Sequence, residues 1–144
     1  MSDLRDLYQE VILDHNKRPR NFRIISQPTH KADGVNPLCG DRITLDVAVE
    51  GGKIIAIGHD TRGCLLCRAA ASWLGQAAPG ATRAQMAAAH AELLALLKQD
   101  ALDTSAVRES LLPFSPVREH KSRHGCVLLP FQALEQALTD PQAG

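Results

Sequence analysis

Aromatic side chains are scarce in this sequence: Tyr8, Phe22, Trp73, Phe114 and Phe131 are the only five among 144 residues. So few rings argue against a base-stacking surface for single-stranded nucleic acid and demand an aliphatic core. Net charge is absent as well. Sixteen Lys and Arg offset sixteen Asp and Glu, and a pI near 7.0 removes the basic field of a general nucleic-acid binder. No run approaches the roughly 18 consecutive apolar residues of a membrane span. The opening Met1-Ser2-Asp3-Leu4-Arg5 lacks the apolar stretch of a secretory signal. A soluble, cytoplasmic protein is expected, with neither nucleic acid nor membrane as partner. The length suits one domain over residues 1–144, large enough to hide roughly 68 to 70% of its unfolded surface without disulfides.

What the chain does contain is clear periodicity. Leu4, Leu7, Tyr8, Val11 and Ile12 recur at helical spacing up to His15, with Ser2 or Asp3 as cap and Pro19 as stop. The stretch from Lys17 to Pro37 holds Pro28, Gly34 and Pro37 without sustained periodicity and reads as an ordered loop. Ile43, Leu45, Val47 and Val49 then alternate with Arg42, Thr44, Asp46 and Glu50, the pattern of a strand with one buried face. Gly51-Gly52 supplies a turn into a second strand over Lys53 to Gly58, and a third short strand is expected over His59 to Arg62. Leu65, Leu66, Ala69, Ala70, Trp73 and Leu74 define a helix ending near Ala78-Pro79-Gly80, and Trp73 reads as its core anchor. Thr82 and Gln85 have capping-box spacing ahead of one long or two short helices to about Lys98. Asp103-Thr104-Ser105 suits the start of a short helix ending before Pro113, and a last helix begins near Cys126. The expected class is α+β: a small antiparallel three-stranded sheet packed against several helices.

Four cysteines in such a chain need a reason, because a reducing compartment favours metal binding or thiol chemistry over structural disulfides. Cys39, Cys64 and Cys126 all fall at boundaries between elements, where distant segments converge. Cys39, Asp41, Cys64 and Cys126 form a chemically sufficient tetrahedral set for Zn²⁺, and Gly40 lets the backbone fold tightly between the first two. A free cysteine taken singly is more often a small buried hydrophobe.

Several motifs now resemble a known family. Leu7-Tyr8 through Ile12-Leu13-Asp14-His15, Pro19-Arg20-Asn21-Phe22, Asn36-Pro37-Leu38-Cys39-Gly40-Asp41, Gly63-Cys64, and Arg123-His124-Gly125-Cys126 with Ala133-Leu134-Glu135 occur in order over nearly the whole chain. They resemble the SufU, IscU and NifU N-terminal proteins of iron–sulfur cluster assembly. The 62 positions from Cys64 to Cys126, the absence of a Leu-Pro-Pro-Val-Lys motif, and Arg123 three residues ahead of Cys126 resemble the SufU branch. The chain departs from the family in Cys67, which makes Cys64-Leu65-Leu66-Cys67, and in His124, two residues before Cys126 rather than adjacent to it. Cys67 reads as a core substitution for serine, and His124 as a surface residue. His59, His90 and His120 have no motif support.

The resemblance implies that Cys39, Asp41, Cys64 and Cys126 hold zinc. It further implies that Cys39 accepts persulfide sulfur from a cysteine desulfurase of the SufS type, with Asp41 easing ligand exchange. Arg20 and Arg123 are candidates for guiding a negatively charged persulfide. The same four ligands would serve a scaffold for a nascent [2Fe–2S] cluster, with downstream iron–sulfur assembly or apo-acceptor proteins as partners. The protein is then either a sulfurtransferase-type acceptor or a non-enzymatic scaffold. Outside this family, the residues also allow a thiol oxidoreductase using Cys64 and Cys67, or a zinc-stabilised binding module.

Overall fold

The computed structural model describes residues 4–139. Its centre is strand β2 (Asp41–Glu50), flanked antiparallel by β1 (His30–Asn36) and β3 (Lys53–Arg62) in the order β1-β2-β3. The alternation read from the sequence holds: Ile43, Leu45 and Val47 are buried on one face. Gly51 and Gly52 form the β2–β3 turn with φ of 61° and 79°, a region that glycine enters without steric cost. Just beyond it, Val49 pairs with Ile54 and Ala48 with Ala56, leaving Ile55 as an extra residue. This bulge restores parity, so that Ile54 and Ile57 are both buried while Ile55 is exposed.

The third strand is not the one expected. His59 to Arg62 complete β3, and the additional strand is His30–Asn36, within the stretch read as loop. Its inward positions are Ala32, Gly34 and Asn36, opposite Leu45, Ile43 and Asp41. One small apolar residue in three positions carries no period-two signal. The small residues have a packing cause, since a Cβ on Gly34 would lie 3.0 Å from Leu129 and 3.1 Å from Ile43.

Helices α2 (Leu65–Ala77) and α4 (His124–Thr139) cover the inner face, with α1 (Leu4–Lys17) against α2 and α3 (Arg83–Lys98) against α4. Buried Ala69, Ala70 and Ala71 permit the close approach of α2 to its neighbours. The capping box at Thr82 forms as expected, Gln85 N donating to Thr82 Oγ1 at 3.1 Å and Thr82 N to Gln85 Oε1 at 2.9 Å, and α3 is one helix rather than two. The caps suggested for α1, Ser2 and Asp3, lie outside the described residues. Its apolar stripe is only partly used: Ile12 is buried, but Leu7 and Val11 are exposed.

The helix expected from Asp103 is also displaced. Asp103 Oδ1 accepts from Ser105 N at 3.0 Å in a side-chain turn, and a 3₁₀ segment runs from Glu109 to Glu119 through Pro113 and Pro116. Proline's fixed φ matches 3₁₀ geometry. Burial of Leu111, Phe114 and Val117 holds the segment in place. Trp73 is buried as expected and donates Nε1–H to Ser110 Oγ at 3.1 Å. Among the described residues no helix is long and apolar enough to cross a membrane.

The exit from α1 is clamped by two histidines. Ser72 Oγ accepts from Arg20 N at 3.0 Å and shares a hydrogen bond with His15 Nδ1 at 2.7 Å. Arg20 O can only accept, so His59 Nε2 donates to it at 3.1 Å while His59 Nδ1 takes the Thr61 hydroxyl proton at 2.8 Å. Gly75 is required beneath this loop, because a Cβ there would lie 2.1 Å from Arg20 O. Burial foremost lowers both pKa values from 6.5, which favours the neutral form of each ring. The unfolded chain takes up these protons first. The stabilisation is thus complete above about pH 6.5 and is lost as pH falls from there toward the lowered folded-state values. Asp14, held at about 2 chiefly by its bond to Arg18 and then by Arg20, stays ionised across that window. The melting temperature is expected to drop between pH 7.5 and 5.5, and His59→Gln to flatten that slope; calorimetry across the pH series checks both.

Candidate metal and sulfur-transfer site

One corner of the sheet gathers the family-like residues. Asp41 opens β2 with the same parity as Ile43 and Leu45, so it points inward and is only 1% exposed. The turn before it is built by Asn36, whose backbone oxygen accepts from Cys39 N at 3.3 Å and Gly40 N at 2.7 Å, and whose Oδ1 accepts from Leu38 N at 3.2 Å. Gly40 closes the turn with φ of 74°. The result lifts Cys39 to the surface beside Leu38, which is 86% exposed.

Cys64 is the N-cap of α2 and half-buried, and Cys126 is fully buried in the first turn of α4. Cys126 Sγ lies 3.1 Å from Cys39 Sγ, and Asn36 Nδ2 donates towards Cys126 Sγ at 3.7 Å. One ligand atom each from Cys39, Asp41 and Cys126 lies within 4.8 Å of the others. Cys64 joins through Asp41: its N–H donates to Oδ1 at 2.9 Å, and its Sγ lies 3.5 Å from Oδ2. The four residues expected to act together are therefore brought together.

Arg123 lies against Cys126, whose bond with it leads the causes that raise the guanidinium pKa, followed by the charges of Cys126, Cys64 and Cys39. Burial pushes the Cys126 thiol upward, reinforced by its bonds with Cys39, Asp41 and Cys64. Three thiols and a carboxylate thus crowd together, with Arg123 beside Cys126 at the edge. A soft divalent cation would relieve that crowding by converting the thiols to bound thiolates, and the S₃O donor set suits tetrahedral zinc.

Other candidates lie elsewhere. Arg20 Nη2 pairs with Asp14 Oδ2 at 2.9 Å, and His124 Nε2 bonds Val117 O at 3.0 Å, so neither reaches the thiols in this arrangement. His90 Nδ1 meets Glu135 Oε2 at 2.9 Å between α3 and α4. Cys67 is fully buried, with its thiol pushed up to about 12 by burial and then by Asp41, Cys64 and Cys39. Two contributors carried only motif membership in the sequence. Asn36 organises the turn, and Gly63 makes room for the carboxylate, since a Cβ there would fall 2.2 Å from Asp41 Oδ1.

Residues 7–139 match the NifU-like N-terminal domain. The chain belongs to that family. It is similar to the zinc-dependent sulfurtransferase SufU of Bacillus subtilis (27% identity over 143 residues, 99% of this chain and 97% of the relative). It is also similar to the iron–sulfur cluster assembly scaffold protein IscU of Streptococcus pyogenes (30% identity, 96% and 86% covered). Among solved structures, the N-terminal NifU-like protein of Brucella abortus superposes with a TM-score of 0.82 at 25% identity, covering 95% of each chain. The α+β architecture expected from the sequence is that of this family.

The site gives a direct test of Gly63. Gly63→Ala should displace the Asp41 carboxylate, and if the four residues hold zinc it should weaken the affinity for added zinc by about 10- to 100-fold, the usual cost of disturbing a ligand's support. Competition titration with a chromophoric chelator measures the affinity, and circular dichroism should report unchanged helix content.

Proposed function

We propose that this protein is a zinc-binding iron–sulfur cluster assembly protein that accepts sulfur on Cys39 from the persulfide of a cysteine desulfurase. The observation carrying this reading is the placement of exposed Cys39 beside buried Asp41 and Cys126 and half-buried Cys64. The names of the SufU and IscU relatives support it. Cys39, Asp41, Cys64 and Cys126 would hold the ion, which supplies charge neutralisation and keeps the thiols deprotonated.

The chain's own groups divide the work. Cys39 rides on a turn rather than within a helix, so it can move toward a donor without unfolding an element. Its thiolate attacks the outer sulfur of the donor persulfide. The new S–S bond forms at Cys39 as the old one breaks, and the donor cysteine leaves as thiolate, with no net oxidation. Asp41 remains anchored by Cys64 N–H and keeps the rest of the site in place while Cys39 moves. Arg123, exposed at the edge, offers positive charge to the incoming persulfide. Delivery of a nascent [2Fe–2S] cluster as cargo would use the same four side chains, and the similarity to IscU favours that second reading.

Freshly isolated reduced protein should contain about one zinc per chain, and its removal should lower the melting temperature. Elemental analysis and calorimetry measure these; metal-free protein with no melting shift on zinc addition contradicts the assignment. Cys67→Ser should retain the metal, whereas Cys64→Ser should lose it. With a cysteine desulfurase and free cysteine, Cys39→Ser should abolish sulfur acceptance, and Asp41→Ala should slow it. Peptide mass spectrometry locates the sulfur; persulfide chiefly on Cys126, with Cys39→Ser still loading, reassigns the acceptor.

A further inference from the structure

Cys67 is the one thiol that the proposed transfer leaves without a task. Its position is specific: Cys64 occupies the N-cap of α2 in extended conformation (φ −71°, ψ 166°), and its side chain makes no capping bond. Cys67 follows within the first helical turn, fully buried. A C-x-x-C pair with its first sulfur accessible at a helix start and its second covered is the arrangement of reactive dithiols. An N-cap residue and the residue three positions on lie on the same side of the first turn, so Cys64 and Cys67 are neighbours there.

We propose that Cys64 and Cys67 form a resolving dithiol that releases the sulfur delivered to Cys39 as sulfide while closing to a disulfide. This rests on the reading of Cys39 as sulfur acceptor. The Cys64 thiolate attacks the outer sulfur of the Cys39 persulfide, and Cys39 leaves as thiolate, so the sulfane sulfur now sits on Cys64. Cys67 then attacks the inner sulfur. The Cys64–Cys67 bond forms, the bond to the outer sulfur breaks, and that sulfur departs as hydrosulfide with the Cys67 proton. Two thiols are oxidised to one disulfide, and one sulfane sulfur is reduced by two electrons. Resetting the pair requires a dithiol reductant.

Cys126 lies nearer Cys39, with the sulfurs 3.1 Å apart, and is the natural competitor. A disulfide between Cys39 and Cys126 is therefore the competing product, and peptide mapping distinguishes it from Cys64–Cys67 closure. Cys64 and Cys67 share one helix, so their relation does not change with the turn.

The test is a single anaerobic turnover of the full chain without external thiol, using two donors: a cysteine desulfurase with cysteine, and glutathione persulfide. After removal of excess donor, wild-type protein should yield about one sulfide per chain and lose about 2 Da as the Cys64–Cys67 disulfide forms. Cys67→Ser and Cys67→Ala should instead hold the sulfur as a gain of about 32 Da and release no sulfide. Equal sulfide release by wild type and both variants overturns the proposal, as does a disulfide mapped to Cys39 and Cys126. Loading from glutathione persulfide followed by Cys64–Cys67 closure, with no loading from the desulfurase, removes the desulfurase reading and upholds the dithiol.

Discussion

The structure turns on a carboxylate withdrawn from water. Asp41 belongs to the inward row of β2, where the next two members, Ile43 and Leu45, are hydrocarbon, and burying an ionised group there is costly unless it is bonded. The Cys64 amide supplies that bond from the N-cap of α2, an end of the helix that needs an acceptor because its first amides have no intrahelical partner. One interaction therefore joins the sheet to the helix that carries the second cysteine. Gly63 makes the contact possible, and Asn36 fixes the approach from the other side.

A second junction secures α2 at its middle. Ser72 and Gly75 accept the loop leaving α1, and His15 and His59 enclose it with hydrogen bonds to Ser72 and to the Arg20 carbonyl. The helix is thereby tied to α1 on one side and β3 on the other. Its N-terminus, where Cys64 and Cys67 lie, starts from a fixed base, while Cys39 has the freedom of a surface turn. Rigid and movable thiols share one site because different backbone types carry them.

Much of this could be read from residue patterns, and the failures have physical causes. Strands β2 and β3, the capping box of α3 and helix α2 all announced themselves through periodicity or cap chemistry. The four proposed ligands were legible because cysteine and aspartate cluster at element boundaries. Strand β1 was hidden because close packing under α4 demanded Gly34 in place of a branched side chain. The segment after Asp103 was misjudged because proline signals a stop for an α-helix yet fits a buried 3₁₀ run. In α1, exposed Leu7 and Val11 show that helical spacing reports a helix without saying how much of its stripe is covered. Gly63 gave no signal of its own, since a requirement for empty space leaves no side chain to read.

The bulge at Ile55 has a consequence for where the chain can change length. Ile54 N donates to Ala81 O at 2.8 Å and Gly80 N to Ile54 O at 2.7 Å, so the residue whose facing depends on the bulge also moors the approach to α3. Deleting one residue from this hairpin would turn Ile54 toward solvent and pull that mooring with it. Residues 99–106 face water for nearly their whole length between α3 and the 3₁₀ run. Extra residues there meet chiefly the entropy of closing a longer loop, about 0.6 kcal/mol for each doubling. Insertions are thus steered to the far connection, and the hairpin keeps its length.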